Sequence, residues 1–187
     1  MRGRSLVRLE AGAGSATRAS AEPLRWEWRT FAKRGDPRLQ SLVPAGAMSE
    51  PTRQETYIVS ARSVNNVKVR DGFVEVKTLE RRSDSGLELW RPALRGALPI
   101  AAAVVRRLCA AWHVPAPDLH LLSYGLGDLV QDVVAVEKDL AAIPVSKRRT
   151  RISPHGCQGE WTCRSRAKRG GPWPSKAPIP ISSPGPS

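Results

Sequence analysis

The sequence predicts an α+β protein, built on an antiparallel β-sheet or incomplete β-tunnel with helices packed on one side. Three observations predict it. Asp71-Gly72 stands between two stretches that alternate without a break, residues 24–31 and 143–152 alternate likewise, and apolar residues over 100–112 recur at helical spacing instead. The 187 residues suit one domain of ordinary size with tails.

The elements follow in order. In 24–31, Trp26, Trp28 and Thr30 alternate with Arg25, Glu27, Arg29 and Phe31, a strand pattern. A Gly- and Pro-punctuated loop over 32–54 leads to a second strand at 55–60, rich in β-formers. Residues 66–77 read as a hairpin, because Asp-Gly is the preferred two-residue turn. With residues 71 and 72 as the turn, Val69 faces Val74, Val67 faces Val76 and Lys68 faces Glu75, so one face is valine and the other charged. A strand over 87–91 follows and is stopped by Pro92. After Pro99, Ile100, Val104, Val105, Leu108, Cys109 and Trp112 form the apolar face of a helix, with Arg106 and Arg107 on the other side. A second helix is expected near 128–140, then a strand over 143–152 with Lys147, Arg149 and Arg151 on one face.

Charge divides the chain. Formal net charge is +13, and residues 146–187 hold nine cations against Glu160 alone. Six prolines and no acid over 164–187 predict a disordered, basic, Pro-rich tail over 162–187. Residues 1–22 lack a secretory apolar core and are expected to lie outside the fold, as a disordered or non-native extension from a transit peptide or an upstream start. That leaves 23–161 as the domain. No apolar run is long enough to span a membrane, which predicts no membrane partner, and three cysteines fit a reducing compartment, with cytoplasm the expected location.

The basic faces admit two readings. On an open sheet they are the wet side of a valine core. On a closed sheet they point inward at a polyanion, beside carboxylates that hold a divalent metal.

Glu27-Trp28-Arg29 resembles the second half of the ExExK strand of the CYTH-like superfamily, the triphosphate tunnel metalloenzymes. Val67-Lys68-Val69-Arg70 and Val74-Glu75-Val76-Lys77 are similar to that family's basic hairpin, and Lys147-Arg148-Arg149-Thr150-Arg151 to its later basic strand. The resemblance implies an antiparallel tunnel binding a triphosphate or polyphosphate compound. Arg29, Lys68, Arg70, Lys77, Lys147, Arg149 and Arg151 are then the phosphate-binding candidates, and Glu27, Glu75 and Glu160 the metal side for Mg2+ or Mn2+. Phosphoanhydride hydrolysis is implied where the acidic set survives. Arg25 stands where the motif has its first Glu, and the family's late acidic strand is missing. Back-translated with GC-rich codons and read one nucleotide upstream, the tail permits an alternating strand with a glutamate, so a frameshifted domain end is one expectation.

The alternative is a non-catalytic interaction protein whose basic tail binds nucleic acid or another polyanion. A third reading is a truncated product with no function. His155, Cys157 and Cys163 lack a fourth zinc ligand, and Gly125-Leu126-Gly127 lacks the Lys of a phosphate loop.

Overall fold

The computed structural model describes residues 4–10, 24–33, 36–153 and 157–166. In chain order the elements are β1 (Arg4–Glu10), β2 (Arg25–Lys33), α1 (Pro37–Gln40), β3 (Arg53–Ser60), β4 (Asn66–Arg70), β5 (Phe73–Arg82), β6 (Glu88–Ala97), β7 (Ile100–Ala101), α2 (Ala102–Trp112), β8 (Ser123–Tyr124), α3 (Leu126–Asp128), a π-helix (Leu129–Val134), β9 (Leu140–Ile152) and β10 (Gln158–Arg166). The sheet is antiparallel: β9, β10, β1, β2 and β6 pair in that order, β3 pairs with β4, and β7 and β8 pair separately. Strand dominates, so the expected α+β class holds only loosely. No helix among the described residues is long and apolar enough to cross a membrane.

The chain divides into two compact units. The first comprises Met1–Glu55, Lys77–Ala93 and Pro144–Ala167. In it β1 pairs with both β2 and β10, and β10 with β9. Side chains alternate across this sheet as the pleat requires. One face carries Ile152 and Trp161, packed with Leu42, Val43 and Cys163. A segment before β3 is tied to β9, where Glu50 N–H donates to the Arg149 carbonyl at 2.7 Å and Ser49 and Thr150 share a hydroxyl hydrogen bond of 2.7 Å. The other face is charged.

The second unit comprises, among the described residues, Thr56–Val76 and Leu94–Ile143. Its core takes Ile58 from β3, Val67 and Val69 from β4, Val74 and Val76 from β5, and Val105, Leu108, Cys109 and Trp112 from α2, all buried. Trp112 Nε1 donates to the Ile58 carbonyl at 3.2 Å and Ser60 Oγ to the Trp112 carbonyl at 2.7 Å, fixing the end of α2 against β3. Cys109 is a buried core residue, and burial pushes its thiol pKa up. The hairpin turn forms as expected: Asp71 and Gly72 both have positive φ, 50° and 76°, the backbone a two-residue type I′ turn demands.

Five expectations need correction. β1 lies within the stretch expected to stand outside the fold, since Arg4–Glu10 is ladder-paired on both sides. β10 runs to Arg166, five residues past the expected domain end at 161, and buries Thr162. Arg164 and Arg166, expected in a disordered tail, therefore sit on a strand. Pro92 does not stop its strand; β6 pairs with β2 only over 88–90, so the proline comes after the ladder to β2 has ended. Ile100 is strand, paired with Tyr124, and the second helix is α3 with the π-helix, ending at Val134. The remaining stretches 1–3, 11–22 and 167–187, where an extension, a disordered tail and a frameshift were expected, lie outside the described residues.

Candidate functional site

In the first unit, alternation on β2 places Glu27 and Arg29 on one face, and β9 and β10 extend it. The register sets Arg151 opposite Glu160 and Arg149 opposite Thr162. Glu27 is fully buried, with Lys77 Nζ at 3.0 Å from Oε1 and the Arg29 guanidinium on Oε2. Arg29 also stacks over the Trp90 ring, 4.8 Å from its centroid.

A second cluster in this unit centres on Glu55, 2% exposed. Lys147 Nζ lies 2.6 Å from its Oε2, and the Arg149 guanidinium bonds its Oε1. Burial alone would raise the Glu55 pKa, but the hydrogen bonds and charges of Lys147 and Arg149 outweigh it and hold it at about 2. Arg149 bridges outward, its Nε 2.9 Å from Glu160 Oε1, which also accepts from Thr162 Oγ1 at 2.7 Å. Arg151, with an 87% exposed side chain, meets Glu50 at 3.3 Å.

In the second unit the charged face of the hairpin gathers around Glu75. Lys68 Nζ is 2.9 Å away, Arg70 3.2 Å and Arg95 3.7 Å, while Arg95 stacks over Phe73 at 4.2 Å. Burial opposes ionisation of Glu75, and Lys68 and Arg70 overcome it, so its pKa is lowered.

All seven phosphate-binding candidates thus lie in ion-paired clusters: Arg29 and Lys77 at Glu27, Lys147 and Arg149 at Glu55, Lys68 and Arg70 at Glu75, and Arg151 at Glu50. The three metal candidates, Glu27, Glu75 and Glu160, each belong to a different cluster. Among the described residues no three His, Cys, Asp or Glu side chains are grouped to hold a metal ion. Magnesium and manganese require several oxygen ligands held together. Carboxylates already bridging ammonium and guanidinium groups do not fit that need.

Glu55 and Arg95 were not singled out by sequence reading. The signal for Glu55 was its alternation with Ile58: Glu55 and Tyr57 occupy the strand positions opposite that core residue. Arg95 lay beyond a proline read as a stop. Comparison with protein-family models found no match to the chain, and neither curated proteins nor solved structures gave a significant one.

Proposed function

We propose that the charged sheet faces bind a triphosphate or polyphosphate-containing compound, as a CYTH-like resemblance implies. The supporting observation is convergence: two or three cations meet at each of Glu27, Glu55 and Glu75, from β2 and β5 at Glu27, from β9 at Glu55, and from β4 and β6 at Glu75. Phosphate recognition needs several cations around one anion, and that is the arrangement these clusters supply. No hydrolytic step is assigned, because the described acids do not assemble the metal ligands that phosphoanhydride cleavage by this family implies.

Titration calorimetry with inorganic triphosphate tests the reading. The full chain and a chain lacking residues 167–187 are expected to bind alike, and Lys68→Ala or Arg70→Ala to weaken binding several-fold. Loss of binding on truncation, with both substitutions silent, would assign polyanion affinity to the tail instead.

A further inference from the structure

The carboxylates best placed to hold a divalent cation on these faces are already committed to cations of the protein. Glu27 accepts from Lys77 and Arg29, and Glu55 from Lys147 and Arg149. The Lys147 side chain is only 5% exposed, so a metal taking Glu55 would strip a buried ammonium of its counter-charge and add a second cation beside it. A polyphosphate oxygen does the reverse: it can take the place of the carboxylate at the same two donors and keep them neutralised.

We propose that the Glu55 cluster holds its anion without a divalent metal, in competition with Glu55, which serves as a resident counter-anion at Lys147 and Arg149. This inference rests on the anion-binding reading above and specifies how that binding works. Glu55 is a positioning residue until the anion arrives, keeping Lys147 and Arg149 aimed at one point, and a competitor thereafter. Arg149 is the way in, since it already reaches from buried Glu55 to the partly exposed Glu160. Removing one negative charge within a few ångströms of the bound anion raises its affinity on the order of tenfold at low ionic strength.

The experiment titrates inorganic triphosphate into the full-length chain, first in EDTA and then in excess magnesium, and repeats both with Glu55→Gln. Glu80→Gln removes an exposed carboxylate paired with Arg91 and controls for bulk charge. The expected result is binding in EDTA at least as tight as in magnesium, about tenfold tightening in Glu55→Gln and little change in Glu80→Gln. Binding by the wild-type chain only when magnesium is present overturns the inference and leaves the anion-binding reading standing, as does weaker binding by a folded Glu55→Gln. No binding by either protein in either condition overturns both. Should Glu55→Gln not fold, the wild-type comparison between EDTA and magnesium decides alone.

Discussion

Glu55 concentrates the chemistry of the first unit in one side chain. Its carboxyl titrates at about 2 in the folded protein against 4.5 in an ordinary setting, so the unfolded chain binds more protons between those values. A depressed carboxylate stabilises the fold fully above about 4.5, and that contribution disappears as pH falls through about 2. Its size is on the order of 3 kcal/mol. Urea unfolding at pH 6 and pH 3 should show the wild-type chain losing stability over this interval and Glu55→Gln losing clearly less; equal losses would place the acid sensitivity elsewhere. The Lys68–Glu75 ion pair is legible in the sequence alone, because an Asp-Gly turn sets the hairpin register by arithmetic. Glu55 is not, since its alternation with Ile58 gives only its face, and its partners Lys147 and Arg149 come from a strand some ninety residues further on.

The elements divide into those whose pattern is strong and those that pairing alone creates. α2 was legible because Val105, Leu108, Cys109 and Trp112 share one stripe, and all four are buried. Leu108→Ala should cost about 2–5 kcal/mol and Arg106→Ala, on the exposed side, less than about 0.5 kcal/mol, measured by chemical denaturation. The turn offers a second check. Gly72 has φ of 76° and open space where a Cβ would stand, so Gly72→Ala meets no clash and should cost roughly 1 kcal/mol through backbone strain alone. β1 and β10 escaped notice for a physical reason. Ser5, Leu6, Val7, Arg8 and Leu9 do not alternate cleanly, and Pro-rich composition further on masked the strand at Trp161 and Thr162. Their pairing comes from partners distant in sequence, which no local pattern reports. Removing residues 162–187 cuts β10 in the middle of its ladders to β1 and β9 and should abolish cooperative thermal unfolding, whereas removing 167–187 should preserve it. Circular dichroism melts of the two truncations distinguish these outcomes.

For the whole molecule, the distribution of charge matters more than its total. A formal +13 suggested a basic tail, but β9 carries Lys147, Arg148, Arg149 and Arg151, and β10 carries Arg164 and Arg166, two of the five cations of residues 162–187. Those strands share a face with buried acids, so the molecule holds much of its positive charge in ordered, partly neutralised clusters. Clusters of several fixed cations respond to the number of phosphates on one ligand, because each added phosphate meets another cation already in place. A basic tail attracts by net charge alone, and its affinity falls steeply with salt. The most direct measurement is therefore calorimetric affinity of the chain without residues 167–187 for mono-, di- and triphosphate at fixed ionic strength in EDTA. Anion binding by the charged faces predicts that affinity rises at each step and that Arg149→Ala removes most of the gain from di- to triphosphate. Equal affinities across the series, or a rise that Arg149→Ala and Lys68→Ala both leave intact, would contradict it.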